Sequence, residues 1–106
     1  MRFIFILFLF LSVNAFTQRN KIDSLLTLLK KDKEDTVKVV YLNNVSKEYI
    51  NIGGYDSAIY YGNTAVQLAR QLNFKKGIAI AYNNIGLTYW NQADYPKALD
   101  NYRSAL

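Results

Sequence analysis

The chain contains two copies of one pattern. Residues 42–66 read LNNVSKEYINIGGYDSAIYYGNTAV, and residues 82–106 read YNNIGLTYWNQADYPKALDNYRSAL. Matched positions lie 40 residues apart (84 − 44 = 40), follow helical spacing and place a turn at the same point in both copies. A unit of this kind buries its apolar face only by stacking on its neighbours. The sequence therefore predicts an all-α fold, an α-α superhelix of helix-turn-helix repeats.

Apolar periodicity and helix-breaking residues place five helices along the chain. The first covers 20–34 with Asn20 as its N-cap, and the second begins after Asp35 or Thr36 and stops at Gly53-Gly54. The third and fourth cover about 56–71 and 76–91, and Pro96 is tolerated in the first turn of the fifth. For the second helix the predicted apolar stripe consists of Val37, Val40, Tyr41, Val45, Tyr49 and Ile52.

The first 17 residues have the layout of a secretory signal peptide. Arg2 supplies one positive charge, residues 3–11 are an unbroken apolar run, and small residues follow around Ala15. A membrane anchor would need about 20 apolar residues, and this run ends too early. We therefore expect cleavage between Ala15 and Gln18 and export to the periplasm or cell envelope. The mature segment is expected to have no membrane contact unless a transmembrane helix follows downstream.

Composition argues against chemistry within these residues. The chain has no cysteine and no histidine, which removes thiolate nucleophiles, cysteine metal sites and the commonest general base near neutral pH. No pair of carboxylates has a spacing suited to acid–base work, and no phosphate-binding loop is present. We expect no enzyme, no cofactor and no metal site. The net charge of +5 is spread over the chain, so a solvated surface is favoured over a nucleic-acid patch.

The repeat resembles the tetratricopeptide family. The second copy supplies nearly the whole motif, and the first copy departs from it at Ser46 and Gly62, where a glycine and a bulky aromatic are expected. The motif residues are Tyr82, Ile85, Gly86, Tyr89, Ala98, Tyr102 and Ala105, with Leu42, Val45, Tyr49, Ala58 and Ala65 in the first copy. A 40-residue period exceeds the usual 34 or so and falls among HEAT and armadillo lengths, but the Gly-Tyr-Ala-Ala spacing favours the tetratricopeptide family. Repeat 1 is then 37–76, and repeat 2 is an incomplete unit at 77–106.

The resemblance implies a protein or peptide partner, held in a groove lined by the first helix of each repeat. The groove residues it implies are Asn43, Asn44, Lys47, Asn51, Asn83, Asn84, Leu87, Trp90 and Asn91. An asparagine amide both donates and accepts, which suits a peptide backbone. Two alternatives stay open: the amides bridge neighbouring helices, and Trp90 covers a further repeat.

Fewer than two full repeats predict that this segment is the front of a longer protein or a truncated product, because such arrays need about three repeats. The layout of signal, helix and repeats is similar to the exported N-terminal sensor regions of bacterial membrane histidine kinases. That similarity implies an alternative role, as the sensing segment of a larger signalling protein or transcriptional regulator.

Overall fold

A computed structural model describes residues 17, 19–30 and 33–106 of the chain. This part is built from five helices and has no strand. They are α1 (residues 19–30), α2 (Thr36–Asn51), α3 (Tyr55–Gln71), α4 (Lys75–Asn91) and α5 (Tyr95–Ala105). The prediction of an all-α fold of helix-turn-helix units is confirmed. Apart from the helical Thr17, the predicted signal peptide of residues 1–17 lies outside the described residues.

The first helix differs in its bounds from the predicted 20–34. Arg19 is already helical, so Asn20 lies within α1 and does not cap it. Residues 33–35 are not helical. The reason is that Asp35 caps the next helix, with its side chain accepting a hydrogen bond from the Lys38 backbone N–H at 3.1 Å.

Three turns of the same design separate the last four helices, at intervals of 20 residues. Gly53, Asn73 and Ala93 have φ values of 76°, 53° and 61°, in the left-handed region that commonly ends a helix. In each turn the next residue's N–H donates back to a carbonyl five residues earlier. The bonds are Gly54 to Tyr49 at 2.8 Å, Phe74 to Ala69 at 2.8 Å and Asp94 to Tyr89 at 2.9 Å.

The helices stack in sequence, with α2 on α3, α3 on α4, α4 on α5, and α2 also against α4. Alanine at Ala58, Ala65 and Ala98 is fully buried, because small side chains allow helix backbones to approach closely. The central core consists of Val39, Leu42, Ala65, Val66, Leu68, Ala69, Ala81 and Ile85. Packing between helices, more than the propensity of each helix, therefore holds the fold.

The two departures of the first copy from the tetratricopeptide pattern are both accommodated by packing. Ser46 is fully buried, and its Oγ donates to the Ala58 carbonyl oxygen at 2.7 Å. Gly62 leaves a space that Ile85 fills, since a Cβ on Gly62 would lie 2.7 Å from the Ile85 Cγ1. In the second copy the glycine lies on the first helix of the pair and the larger residue on the second. There the ring of Tyr102 packs on Gly86.

The apolar stripe predicted for the second helix is correct at Val45, which is fully buried, and wrong at Val37, Val40 and Ile52, which are exposed. Tyr41 and Tyr49 are half-buried. Val37 and Val40 are 47% and 45% exposed. The buried residues of α2 are Val39, Leu42, Asn43, Val45, Ser46 and Ile50. The difference arises because α2 packs against both α3 and α4, and the pair of contacts selects a face that periodicity in one helix does not specify.

The first helix is in register with α3 at the same 40-residue offset (62 − 22 = 40). Ile22 is buried and Leu25, Leu26 and Leu29 are half-buried. Their counterparts in α3 are Gly62, Ala65, Val66 and Ala69, all buried. The described repeat pattern therefore begins in α1, with larger side chains where α3 has small ones.

Candidate functional site

Two buried asparagines join α2 to α4. The Asn43 side chain donates from Nδ2 to the carbonyl oxygen of Gly77 at 3.2 Å, in the first turn of α4. In the reverse direction, Asn84 Nδ2 donates to the carbonyl oxygen of Asn43 at 3.1 Å. Asn43 and Asn84 are 4% and 8% exposed. Both amides therefore bridge helices, the alternative that the sequence left open for them.

A cleft of about 250 Å³ lies above these bonds, where α2 and α4 run side by side. We refer to it as the α2–α4 cleft. Its lining residues are Val40, Asn43, Asn44, Phe74, Lys76, Gly77 and Ile80. The wall is largely apolar, and Val40 and Ile80 occupy equivalent positions of the two repeats (80 − 40 = 40).

A second cleft of about 590 Å³ lies between α1 and α2, and we refer to it as the α1–α2 cleft. Its lining is Thr17, Asn20, Lys21, Ser24, Leu25, Asn44, Lys47 and Glu48. Asn44 therefore belongs to both clefts. Lys21 and Lys47 are exposed and form no ion pair with another described residue. Together with Glu48, they give the lining of this cleft charges of both signs.

The nine residues predicted for a groove do not share one surface. Asn44 and Lys47 are exposed and line clefts, while Asn43 and Asn84 lie beneath the surface with their amides bonded. Asn51 is exposed at the last position of α2. On α4, Leu87 is half-buried, and Asn83, Trp90 and Asn91 are exposed outside the α2–α4 cleft. Contact of any of the nine with a ligand stays a prediction.

Trp90 has an aromatic neighbour at the start of α5. Its ring lies edge-on to Tyr95, with centroids 4.7 Å apart and planes at 66°. Trp90 is 49% exposed and Tyr95 48% exposed. The pair forms an aromatic patch at one end of α4, available for either role that the sequence left open for Trp90.

Sequence reasoning missed the apolar part of the α2–α4 cleft. The sequence pattern predicts Val40 in the buried stripe of α2, and nothing in it distinguishes Phe74, Gly77 or Ile80 as site residues. The available signal was the pairing of Val40 with Ile80 at the 40-residue offset. Two apolar residues at equivalent, outward positions of neighbouring helices create a shared surface once the helices stack.

Three tyrosines of α2 and α3 pack together outside the lining of both clefts. The rings of Tyr49 and Tyr61 are stacked with centroids 5.6 Å apart, and Tyr60 meets Tyr61 edge-on at 5.1 Å. Burial raises the pKa of the Tyr61 hydroxyl above its ordinary value, and the neighbouring Tyr49 and Tyr60 add to the effect. This cluster joins α2 to α3 through the stacked rings of Tyr49 and Tyr61.

The described residues contain no cluster of three or more acidic, cysteine or histidine side chains that could hold a metal ion. Within the same residues, none of the helices combines the length and apolarity needed to cross a bilayer.

Comparison with known proteins adds two findings. Residues 42–106 match the family model described as tetratricopeptide repeat. The chain is also similar to a heat shock protein sti1 homolog of Schizosaccharomyces pombe, with 35% identity over 74 residues. That stretch is 68% of this chain but 12% of the relative, so the chain spans a small part of the yeast protein's length.

Proposed function

Because the chain belongs to the tetratricopeptide repeat family, and is thus a protein–protein interaction scaffold, we propose that the exposed face of α2 and α4 binds an extended peptide segment of a partner protein. The observation that carries this proposal is the α2–α4 cleft. Two hydrogen bonds from the buried side-chain amides of Asn43 and Asn84 hold the helices side by side. Their outward residues, Val40, Asn44 and Ile80, are left open to a ligand.

Asn44 and Lys47 extend this face toward α1. Both lie on the exposed side of α2, one turn apart, and Asn44 connects the α2–α4 cleft with the α1–α2 cleft. An amide at this junction can both donate to and accept from a peptide backbone. Lys47 adds a charge that steers association and affects its salt dependence more than its affinity.

The test is selection of binders from a random peptide library displayed on phage, with the chain immobilised. Affinities of selected peptides are then measured for the chain and for an Asn44→Ala/Lys47→Ala variant. We expect the variant to bind at least about tenfold more weakly. The control is Asn63→Ala/Gln67→Ala, which removes two exposed polar side chains that lie about one turn apart on α3. Equal losses in both variants, or unchanged binding in the first, contradict the proposal.

We also propose that the protein is exported, on the strength of the apolar run at residues 3–11. N-terminal sequencing of the protein recovered from the producing cell tests this. A mature N-terminus between Phe16 and Arg19 supports export by a cleaved signal. Recovery of Met1 in the membrane fraction would instead mean that the segment is an anchor.

A second role, as the sensing segment of a larger transmembrane signalling protein, rests on the similarity in layout described above. It requires a downstream span of about 20 apolar residues, followed by a kinase or regulator domain. Sequencing the coding region on the 3′ side separates this role from that of an exported scaffold. An uninterrupted array of further repeats would favour the scaffold.

A further inference from the structure

We propose that the α1–α2 cleft binds an acidic, amphipathic α-helix of a partner protein, which packs on α1 and α2 as α2 packs on α3 and α4. This inference goes beyond the proposed function, because the ligand is a helix and not an extended peptide. The helix adds to the end of the stack instead of lying along the α2–α4 cleft. The proposal comes from the internal repeat, the exposure of the cleft lining and its charge.

The internal repeat gives the α1–α2 cleft a counterpart inside the molecule. At the 40-residue offset Asn44 corresponds to Asn84, and Lys21 corresponds to Tyr61. Both counterparts contact α2: Asn84 donates to a carbonyl oxygen in the middle of α2 at 3.1 Å, and Tyr61 stacks on Tyr49. The cleft is therefore the place where a helix equivalent to α2 would contact α1 and α2.

The lining of the cleft is more exposed than its counterpart in the stack. Three buried residues form part of that counterpart: Ala65, Asn84 and Thr88. Their equivalents in the cleft are Leu25 and Glu48, which are half-buried, and Asn44, which is exposed. A docked helix would remove Leu25 from water and offer Asn44 Nδ2 a backbone carbonyl oxygen, as α2 does for Asn84. That acceptor is present in a helix of any sequence.

The charge of the lining indicates an acidic occupant. Lys21 on α1 and Lys47 on α2 line the cleft at positions where the stack has Tyr61 and Leu87. Neither lysine forms an ion pair with another described residue, and Glu48 is the one carboxylate of the lining. Carboxylates on the docked helix that face the two lysines would complement this charge, which favours the encounter and disfavours basic partners.

The same charge argument favours a helix of another protein over parts of this chain. Residues 1–16 come just before the cleft in the sequence, but they contain no aspartate or glutamate. Each described helix of the chain has at most one carboxylate, so a helix from a second copy cannot offer one to each lysine. A partner helix with two or more acidic residues on one face meets the requirement.

The probe for the test is a synthetic peptide with the sequence of α2, Thr36–Asn51, because α2 fills the counterpart of the cleft. A hydrocarbon link between the positions of Val40 and Asn44, both exposed in α2, keeps the peptide helical. The peptide carries Tyr49→Glu, since Tyr49 is the residue that contacts the counterpart of Lys21. Two further peptides, with Tyr49→Gln and Tyr49→Lys, measure the preference for charge.

Fluorescence anisotropy of the labelled peptides gives their affinities, and amide shifts of the ¹⁵N-labelled chain locate the site. We expect shifts at Lys21, Leu25 and Asn44. The Tyr49→Gln and Tyr49→Lys peptides should bind about three- to tenfold more weakly than the Tyr49→Glu peptide.

Charge reversal in the chain tests the contact directly. With Lys21→Glu the order of the peptides should reverse, so that the Tyr49→Lys peptide binds better than the Tyr49→Glu peptide. The two peptides are compared on one protein, so a general loss of stability does not imitate the reversal. Lys30→Glu is the matched control, because Lys30 is exposed on the same helix outside the cleft lining. This variant should keep the original order.

The inference is overturned if no peptide binds, if the three peptides bind equally well, if the shifts map to α5, or if Lys21→Glu leaves the order unchanged. Self-association of the chain that the peptide reverses would assign the cleft to a second copy, and binding that appears only after removal of residues 1–16 would assign it to that segment. These results leave the proposed function standing if the library yields binders that depend on Asn44 and Lys47. A library without binders removes the proposed function and does not affect the charge reversal at Lys21.

Discussion

Gly62 of α3 and Ile85 of α4 lie in direct contact across the boundary between the two repeats. A Cβ on Gly62 would be 2.7 Å from Ile85 Cγ1 and 3.3 Å from its Cδ1, and Ile85 is 2% exposed. The isoleucine therefore has little space to move away. The position at which the tetratricopeptide pattern has a bulky aromatic is here filled by a side chain from the following repeat.

Gly62→Ala should lower the free energy of unfolding by about 1–2 kcal/mol, because overpacking a core costs about 1–3 kcal/mol while the better helix propensity of alanine returns about 1 kcal/mol or less. Urea unfolding followed by circular dichroism measures the change. Asn63→Ala, at the exposed neighbouring position of α3, is the control and should shift stability by less than about 0.5 kcal/mol. A stabilised Gly62→Ala protein would contradict the close contact.

The repeated turns allow a reciprocal pair of substitutions. Ala93 has φ of 61°, where an L-residue is strained, and Gly53 has the same role at 76°. A Cβ on Gly53 would meet nothing within 4 Å, so Gly53→Ala isolates the backbone strain. We expect Gly53→Ala to destabilise the fold by about 1 kcal/mol and Ala93→Gly to stabilise it by up to about 1 kcal/mol. Thermal unfolding of both variants checks the pair, and changes of the same sign would contradict the turn geometry.

The adjacent amides Asn83 and Asn84 should differ in their effect on stability. Asn84 is buried and donates to the Asn43 carbonyl oxygen at 3.1 Å, so Asn84→Ala should cost about 1–2 kcal/mol. Asn83 is exposed, and Asn83→Ala should change stability by less than about 0.5 kcal/mol. Guanidinium unfolding of the two single variants gives the comparison. Similar losses would mean that the hydrogen bond from Asn84 to the Asn43 carbonyl oxygen contributes little to the free energy of unfolding.

The raised pKa of Tyr61 predicts a loss of stability in alkaline solution. In the unfolded chain a tyrosine ionises near pH 10, whereas in the folded protein burial and the neighbouring Tyr49 and Tyr60 keep the hydroxyl protonated to higher pH. The unfolded state therefore binds fewer protons above about pH 10, and stability falls as the pH rises from there toward the folded pKa. Below pH 10 this group contributes no pH dependence.

Tyr61→Phe removes that ionisation while keeping the ring. Urea midpoints of the variant and the unaltered chain, measured between about pH 8 and 11, should diverge above pH 10, with the variant losing less stability. Tyr95→Phe is the control, since Tyr95 is 48% exposed. Parallel curves for all three proteins would show that ionisation of Tyr61 is not linked to unfolding.

Local signals were sufficient to predict α2 to α5 and their turns. Gly53, Asn73 and Pro96 each act through backbone geometry within a few residues. The observed bounds of α2 to α4 differ from the predicted ones by at most one residue. The start of α1 was less well predicted. Asn20 is a residue type that often caps a helix, but nothing in the sequence before it stops the helix from beginning earlier, and Arg19 is already helical.

The candidate site was harder to predict because it depends on contacts between helices. Asn43 and Asn44 are chemically identical neighbours, yet one is buried and bonded to α4 and the other faces two clefts. Helical rotation of 100° per residue separates them, and only the position of α4 decides which one points inward. The exposure of Val40 follows from the same long-range packing.

The bonds of Asn43 and Asn84 both end on backbone oxygens, those of Gly77 and Asn43. A backbone acceptor is present whatever side chain its residue carries. These two hydrogen bonds between α2 and α4 therefore do not depend on the side chains that point outward from the helices. Val40, Asn44 and Lys47 on α2, and Ile80 on α4, can change in evolution or by design while the helices keep their spacing. Recognition and folding are thereby assigned to different positions of the same two helices, so a new binding preference can arise on this scaffold at little risk to its stability.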